Sequence, residues 1–290
     1  MLGFAGLGLM GQPMAANLLR EGVPLCVFNR SPAACDKLAA MGAEIAASPA
    51  ALFARCDAVI LMLADDAAAD AVLGRADCDF ASRVAGRLVI NMGTHSPAYS
   101  KGLEHDIVAA GGRFVEAPVS GSRGPAEAGE LVAMLAGDAE AVAAARPLIA
   151  PMCREMIHVG AVPQAMALKL AVNLYLIASV TALAEATQLA TAAGLGLAQF
   201  AEVIVKGPLG SSVAAAKLDK MVRRDFAPQA AIADVLKNAR LVAAAADAAA
   251  SEAPLLRESL VRLESVEARG GAALDMAAIL LSYEAENEAG

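Results

Sequence analysis

The stretch MLGFAGLGLMG, residues 1–11, decides the fold of this chain. Its first part is short and apolar, as a buried parallel strand is, and Gly6, Gly8 and Gly11 then fit the pattern G-x-G-x-x-G. In this pattern one glycine permits a tight turn, one lets the backbone approach a pyrophosphate, and one lets a helix pack closely on the strand. Residues 12–19 are predicted to form that helix. The stretch therefore predicts a turn that binds a dinucleotide through Gly6, Leu7, Gly8, Leu9, Met10 and Gly11.

A second apolar strand, predicted over residues 23–28, gives this motif the context of a Rossmann-type unit. The strand leads into Asn29, Arg30 and Ser31, and Asn29 lies 18 residues beyond Gly11. NAD-binding sites carry an Asp or Glu near this point, which binds the ribose 2′-hydroxyl. A guanidinium suits a 2′-phosphate instead. We therefore predict NADP(H) in preference to NAD(H) at this strand end; the alternative is a solvated turn that carries an arginine.

The composition limits the class of protein. The 290 residues allow one large domain or two ordinary ones, and 58% are hydrophobic but only 3% aromatic, which favours tightly packed helices. The uncharged run at residues 170–184 has 15 residues, short of the roughly 20 that a membrane-spanning helix needs. A net charge of −8 argues against nucleic acid as a partner. The sequence thus predicts neither a membrane protein nor a nucleic-acid-binding protein.

The five cysteines and three histidines show no ligand spacing. The cysteines are odd in number and widely spaced, so they are predicted to be small buried hydrophobes in a reducing compartment rather than disulfides or zinc ligands. No metal site is expected. Because no basic segment precedes the first strand, no signal peptide is predicted, and the expected location is the cytoplasm.

Four further apolar runs, at residues 58–63, 88–92, 114–119 and 131–136, are predicted as strands. Segments with helical patterns separate them, which predicts a doubly wound sheet. Ligands of such sheets lie at the carboxyl ends of the strands, so we expect Leu63, Ala64 and Thr94 to contact the cofactor. For Thr94 the alternative is a cap on the following helix.

The pattern changes at about residue 162. Long segments rich in alanine and leucine predict helices over residues 163–193, 198–206, 211–223, 228–250, 254–269 and 275–286. We therefore predict an α/β fold: an NADP-binding Rossmann domain over residues 1–161, and an all-α substrate and dimerisation domain over residues 162–290, entered through a long interdomain helix. The apolar faces of these helices need a partner, so a homodimer or homotetramer is expected.

Two stretches offer groups for the chemistry of a substrate. In the first, Ser120 and Ser122 flank Gly121, and their hydroxyls with the nearby N–H groups would suit a carboxylate. As a bare pattern this is also an ordinary Ser/Gly-rich loop. In the second, Lys169 and Asn173 are four residues apart on the long helix and share one face. Burial among leucines would lower the pKa of Lys169 toward the pH of catalysis, whereas the alternative is a lysine whose ammonium reaches the surface.

Together these motifs resemble the β-hydroxyacid dehydrogenase family, and the likeness covers essentially the whole chain. The family includes 3-hydroxyisobutyrate dehydrogenase, tartronate semialdehyde reductase and glyoxylate/succinic semialdehyde reductases. The resemblance rests on GLGLMGQPMAANL at 6–18, NMGTHSP at 91–97, APVSGSRGPAEAGEL at 117–131, KLAVN at 169–173 and VLKNARL at 235–241. The SGSRGPAE segment and the NRS strand end are closest to the NADPH-dependent glyoxylate/succinic semialdehyde reductases.

The resemblance implies a role for each of these stretches. Lys169 would be the catalytic acid/base, Asn173 would orient the substrate, and Ser120, Gly121 and Ser122 would hold its carboxylate. Thr94 and Lys237 would contact the cofactor. The implied reaction is hydride transfer between NADP(H) and a small carboxylated aldehyde or hydroxy acid, such as glyoxylate or succinic semialdehyde.

The chain departs from the family pattern at three positions. Asn238 stands where Asp usually follows the lysine, and Asn91 and Gly93 replace residues that are often Asp and Ser. The alternatives are a 3-hydroxyisobutyrate or tartronate semialdehyde enzyme, an imine-reductase-like enzyme on the same fold, or a non-catalytic NADP-binding protein. Imine reductases usually lack a lysine at the position of Lys169, so its presence argues against that branch.

Overall fold

The structure, a computed structural model, describes residues 1–287 of the chain, with side chains as far as residue 284. It contains two compact units, Met1–Lys169 and Leu170–Gly290. The last three residues of the predicted second domain, 288–290, lie outside the described residues. The unit border falls inside a long helix, and the predicted domain border after residue 161 remains a prediction.

Within the described residues, the first unit is built on one nine-stranded sheet. Its strands are β1 Leu2–Ala5, β2 Leu25–Phe28, β3 Glu44–Ile45, β4 Ala58–Leu61, β5 Leu88–Asn91, β6 Arg113–Glu116, β7 Val119–Ser120, β8 Leu131–Gly137 and β9 Cys153–Gly160. The spatial order is β3-β2-β1-β4-β5-β6-β8-β7, with β9 paired to β8, and β1 to β6 are all parallel. The order reverses at β1, where dinucleotide-binding sheets open a crevice at the carboxyl ends of their strands. The predicted doubly wound sheet is confirmed.

Eight helices of the first unit lie between these strands. They are α1 Gly11–Arg20, α2 Ala33–Ala39, α3 Pro49–Arg55, α4 Asp66–Leu73, α5 Phe80–Val84, α6 Pro97–Ala109, α7 Arg123–Ala128 and α8 Ala139–Ile149. Several begin where a side-chain oxygen accepts a backbone N–H three residues on, as at Ser48, Asp65 and Ser96. The central strands are buried on both faces, which explains their uninterrupted apolar runs.

The far edge of the sheet differs from a simple parallel pattern. β8 runs antiparallel to both β6 and β7, and β9 returns parallel to β8. The sequence does not predict β9, because Arg154, Glu155 and His158 are exposed and interrupt its apolar pattern. Polar residues of this kind are typical of a strand at a sheet edge.

The second unit is helical. Its helices are α9 Gln164–Ala192, which begins in the first unit, α10 Leu197–Lys206, α11 Ser212–Arg223, α12 Ile232–Ala248, α13 Pro254–Ala268 and α14 Leu280–Asn287. Its described residues contain no strand apart from one isolated bridge between Ala231 and Asp275. The predicted all-α domain and the long helix that leads into it are therefore confirmed.

A buried ion pair organises part of this unit. Lys217 Nζ lies 2.8 Å from Asp275 Oδ1, and Asp275 also accepts the backbone N–H groups of Gln229 and Ala230. These bonds hold the chain in a turn, so α12 begins at Ile232 rather than at residue 228 as predicted. The segment after Asp275 first forms a 3₁₀ turn and becomes α-helical only at Leu280.

Helix α9 extends beyond the uncharged run at residues 170–184 at both ends. Its 29 residues are enough, by length and composition alone, to cross a membrane. The core helix of a soluble protein passes the same test, and part of the most apolar window is buried against the protein itself. The expectation that this protein does not span a membrane stays a prediction.

Candidate active site

The glycine motif forms the turn between β1 and α1. Gly6 has a positive φ of 97°, and a Cβ on Gly11 would overlap the carbonyl oxygen of Gly6, so the helix can approach the strand only with glycine there. Among the described atoms, none lies within 4 Å of the place that a Cβ on Gly8 would occupy. Open space over Gly8, next to the N-terminus of α1, fits the pyrophosphate of a dinucleotide.

Asn29 links this turn to the end of β2. Its Oδ1 accepts a hydrogen bond from the Leu7 N–H at 2.9 Å, and its Nδ2 donates to the Ser31 carbonyl at 3.0 Å. The amide therefore holds two segments of the predicted cofactor site together. This arrangement leaves Arg30 and Ser31 as the exposed residues of the strand end.

The carboxyl ends of β4 and β5 carry the other residues expected near the cofactor. Leu63 is half-buried and Ala64 is exposed, just beyond β4, while Thr94 is half-buried beyond β5. Helix α6 is capped by Ser96, whose Oγ accepts the Tyr99 N–H at 3.1 Å. The cap of this helix is thus supplied two residues after Thr94.

A buried histidine next to Thr94 was not predicted to have any role. His95 is fully buried, and its Nδ1 lies 2.6 Å from Asp66 Oδ1 at the start of α4. Its ring stacks on Tyr99 with centroids 5.0 Å apart, and the Tyr99 hydroxyl donates to Asp70 at 2.7 Å. Burial, followed by the Asp70 carboxylate, raises the pKa of Tyr99. This cluster fixes the loop after β5 to α4.

A buried carboxyl group ends β6. Glu116 Oε2 accepts the backbone N–H of Met166 at 3.2 Å, at the start of α9. Burial raises the pKa of Glu116 from its usual value of 4.5 to about 7, against the lowering effect of nearby hydrogen-bond donors. The group can therefore change its charge near neutral pH.

The serine loop lies between β7 and α7. Ser120 and Ser122 are half-buried, and Gly121 is exposed with a φ of 136°. Within the described structure, the Ser122 side chain makes no capping hydrogen bond to α7, although Ser122 occupies the N-cap position. Asn17 of α1 donates to the Ala126 carbonyl at 2.8 Å, so the helix that follows the glycine motif is tied to the helix that follows the serine loop. The first unit thus brings the predicted phosphate site and the predicted carboxylate site onto connected elements.

Lys169 and Asn173 lie on one continuous helix, four residues apart. Lys169 is 7% exposed and Asn173 is 3% exposed, so the lysine is buried rather than a surface residue. Among the described side chains, Asn173 Nδ2 is buried and has no hydrogen-bond partner. A buried donor without a partner is costly and fits a group that a ligand satisfies.

The second unit carries the last predicted cofactor residue. Lys237 is half-buried on α12, and the Oδ1 of the adjacent Asn238 is buried without a hydrogen-bond partner among the described groups. Asn173 belongs to this unit as well, whereas all the other predicted site residues belong to the first unit.

The cysteines and the possible metal ligands can be located within the described residues. In that part of the chain, no group of three or more His, Cys, Asp or Glu side chains is placed to hold a metal ion. Four cysteines are buried, Cys78 is exposed, and all five are free thiols. Burial raises the pKa of Cys56 to about 11 and that of Cys153 to about 12, so these thiols stay protonated at neutral pH.

Sequence reasoning did not assign Asp66, His95 or Glu116 to the site. A carboxylate within the otherwise apolar run FVEAPV was a usable signal for a buried Glu116. The pairing of His95 with Asp66 has no local signal, because the two residues are separated by 29 positions.

Comparison with known proteins agrees with this fold. Residues 1–160 match the family described as the NAD binding domain of 6-phosphogluconate dehydrogenase. Residues 164–283 match the family described as the NAD-binding of NADP-dependent 3-hydroxyisobutyrate dehydrogenase.

Individual relatives match over most of the chain. Glyoxylate/succinic semialdehyde reductase 1 of Arabidopsis thaliana is 30% identical over 279 residues, which cover 96% of this chain and 96% of the relative. The mitochondrial 3-hydroxyisobutyrate dehydrogenase of Homo sapiens is 34% identical over 203 residues, 70% of this chain and 60% of the relative. The crystal structure of 3-hydroxyisobutyrate dehydrogenase from Salmonella typhimurium superposes with a TM-score of 0.87 at 26% identity, over 96% of this chain and 98% of that one.

Proposed function

The chain belongs to the β-hydroxyacid dehydrogenase family and is an NAD(P)-dependent hydroxyacid dehydrogenase, and we propose that it reduces small carboxylated aldehydes such as glyoxylate or succinic semialdehyde with NADPH. The observation that carries the proposal is the buried Lys169, one helical turn before the buried Asn173, whose Nδ2 has no hydrogen-bond partner among the described side chains. Oxidation of the corresponding hydroxy acid is the same path in reverse.

Lys169 is the proton donor in this proposal. Its protonated ammonium donates a proton to the oxygen of the aldehyde as that oxygen becomes an alkoxide, and its charge stabilises the oxygen until then. In the oxidation direction the neutral amine accepts the hydroxyl proton. The bound nicotinamide supplies or accepts the hydride.

The serine loop and Asn173 hold the substrate in this proposal. The hydroxyls of Ser120 and Ser122, with the backbone at Gly121, bind the carboxylate, since hydroxyl and N–H donors suit an anion. The Nδ2 of Asn173 donates to the substrate oxygen beside Lys169. Fixing the carboxylate and the carbonyl at once gives the orientation on which the rate of such a reaction depends.

The cofactor-binding residues in this proposal are those predicted from the sequence. The turn from Gly6 to Gly11 binds the pyrophosphate, Leu63, Ala64 and Thr94 contact the nicotinamide half, and Lys237 contributes from α12. Arg30 and Ser31 bind the 2′-phosphate, because they are exposed at the end of β2 and no carboxylate stands there to repel it. NADPH is therefore the preferred cofactor.

The test is the initial rate of NADPH and NADH oxidation with glyoxylate and with succinic semialdehyde. We expect faster turnover with NADPH, and a loss of roughly 100-fold or more in Lys169→Ala. Lys101→Ala, which removes an exposed lysine from α6, is the matched control and should keep full activity. Equal turnover by wild type and Lys169→Ala would disprove the role of the lysine.

A second substrate is favoured by the names of other relatives. The human relative is a 3-hydroxyisobutyrate dehydrogenase, so NADP⁺ reduction with 3-hydroxyisobutyrate belongs in the same assay. If that substrate has the higher kcat/KM, the aldehyde preference is wrong and the family activity stands.

The proposal also includes assembly of the chain into a homodimer or homotetramer. The second unit exposes large apolar side chains on α9, on α10 and beside α10, namely Tyr175, Leu189, Leu195, Val203 and Leu209. Helix α10, all of which is described, buries none of its ten residues within the chain. Light scattering should therefore give an oligomer, and Val203→Glu should shift it toward the monomer.

A further inference from the structure

The carboxyl group of Glu116 connects the sheet to the helix that carries Lys169. Glu116 is fully buried at the end of β6, and its Oε2 accepts the Met166 N–H at 3.2 Å. Met166 lies in the first turn of α9, three residues before Lys169. The backbone N–H groups of a first helical turn have no partner within the helix, so this carboxyl group supplies one from another element.

The neighbouring strand approaches the same point. Asn91 of β5 is in register with Glu116, and its Oδ1 accepts the Gly93 N–H at 3.2 Å. Asn91 Nδ2 and Glu116 Oε1 are both buried and, within the described residues, neither has a hydrogen-bond partner. They are a donor and an acceptor at paired positions of adjacent strands.

Met166 is also contacted from the loop after β5. The backbone N–H of His95 points at Met166 Sδ at 3.3 Å. The loop Gly93–His95, which includes Thr94, therefore contacts the start of α9 at Met166, the same residue whose N–H binds Glu116. All of these residues belong to the first unit.

We propose that Glu116 is a positioning residue for the reaction: its buried carboxyl group fixes the first turn of α9, and with it Lys169, to the end of β6, where Met166 also contacts the loop at residues 93–95. The inference rests on the proposed catalytic role of Lys169. Glu116 acts through Met166.

The charge of this group is expected to matter near neutral pH. The pKa of Glu116 is raised to about 7: burial and, to a smaller extent, the carboxylate of Glu104 on α6 raise it, and the Ser100 hydroxyl and the N–H groups of Met166 and Ala165 lower it. From β5, the residue paired with Glu116 is the uncharged Asn91. An ionised carboxylate is a stronger acceptor than a neutral acid, so the anchor should tighten as the pH rises through this value.

The activity test compares Glu116→Ala and Glu116→Gln with Glu140→Gln, which makes the same chemical change at an exposed position of α8. We expect Glu116→Ala to lower kcat roughly 10- to 100-fold with a much smaller change in the Kd of NADPH, because a misplaced lysine affects the chemical step. Wild type should show a rise in kcat through about pH 7 that Glu116→Gln lacks. A merely structural role would lower Tm and leave the pH profile in place.

Hydrogen exchange provides a readout that needs no substrate. The amide of Met166 should exchange faster in Glu116→Ala than in wild type or in Glu140→Gln, and the segment at residues 93–95 should follow it. Unchanged exchange at Met166, or a kcat–pH step that persists in Glu116→Gln, overturns the proposal. Activity retained in Lys169→Ala would instead refute the proposed catalytic role of the lysine. Faster exchange at Met166 in Glu116→Ala would then still show that Glu116 holds the first turn of α9.

Discussion

The Asn29 side chain joins the phosphate-binding turn to the end of β2: its Oδ1 lies 2.9 Å from the backbone nitrogen of Leu7. Its Nδ2 donates to the Ser31 carbonyl. One neutral amide thus sets the spacing between the backbone that would face a pyrophosphate and the residues that would face a 2′-phosphate. A carboxylate at the same position would accept the Leu7 N–H but would have no donor for Ser31.

Asn29→Ala should weaken binding of both NADPH and NADH. Loss of one or two hydrogen bonds costs about 1 kcal/mol each, which corresponds to roughly a 10-fold increase in Kd. Because the amide positions the turn rather than a 2′-substituent, the ratio of the two affinities should stay close to that of the wild type. Fluorescence titration with both cofactors measures this, and a selective loss of NADPH alone would contradict it.

Arg30→Ala should change the cofactor preference. A charge-assisted hydrogen bond to phosphate is worth about 1.5 to 3 kcal/mol, so the Kd of NADPH should rise roughly 10- to 100-fold while that of NADH changes little. Arg20→Ala, at the far end of α1, is the matched arginine control. If Arg30→Ala binds NADPH as tightly as wild type does, the assignment of the 2′-phosphate site to Arg30 is wrong.

Gly8→Ala should impair cofactor binding, whereas Gly11→Ala should impair the stability of the fold. At Gly8 a Cβ meets none of the described atoms within 4 Å, so the variant should fold with an unchanged Tm and lose NADPH affinity by roughly 10-fold or more. At Gly11 the Cβ overlaps the Gly6 carbonyl, so the fold itself should lose stability, although alanine is the better helix former. Calorimetry paired with cofactor titration separates the two, and a normal Tm in Gly11→Ala would contradict the close packing.

Lys217→Met should destabilise the helical unit. It leaves the Asp275 carboxylate buried without its ammonium, and breaking one side of a buried pair costs about 3 kcal/mol or more. Arg223→Met, on the same helix but exposed beside Asp219, should cost less than about 1 kcal/mol. Urea unfolding of both variants is the measurement; equal costs would show that the buried pair adds nothing.

Stability should fall as the pH rises from about 4.5 to about 7 because of Glu116. Its pKa is raised from 4.5 to about 7 in the folded chain, so over this range the folded state holds a proton that the unfolded state has released. The difference corresponds to about 3 kcal/mol. The Glu116→Gln variant does not titrate there, so its unfolding free energy relative to wild type should increase between about pH 4.5 and about pH 7. A pH-independent difference would show that Glu116 ionises normally.

The part of the site predicted from the sequence is the part that local chemistry determines. The turn from Gly6 to Gly11 needs its glycines at fixed spacing, since a Cβ at Gly11 would meet the backbone five residues earlier. That Lys169 and Asn173 share one helix face follows from their spacing of four residues in one helix. Such constraints act within a few residues, so a single sequence displays them.

The missed parts depend on contacts between distant positions. The partner of Glu116 is 50 residues away, and that of His95 is 29 residues away. Helix α12 begins at Ile232 because Asp275, far along the chain, binds the backbone at Gln229 and Ala230. The roles of the predicted site residues remain predictions for the experiments above.

Helix α9 passes without interruption through the border between the two compact units, which lies between Lys169 and Leu170. With a rise of about 1.5 Å per residue, the helix itself keeps Lys169 and Asn173 about 6 Å apart along its axis. One inserted residue between them would turn Asn173 about 100° away from the face of Lys169. A hybrid enzyme that borrows the helical unit of a relative must therefore be joined ahead of Gln164, so that the lysine and the amide are always transplanted from the same parent.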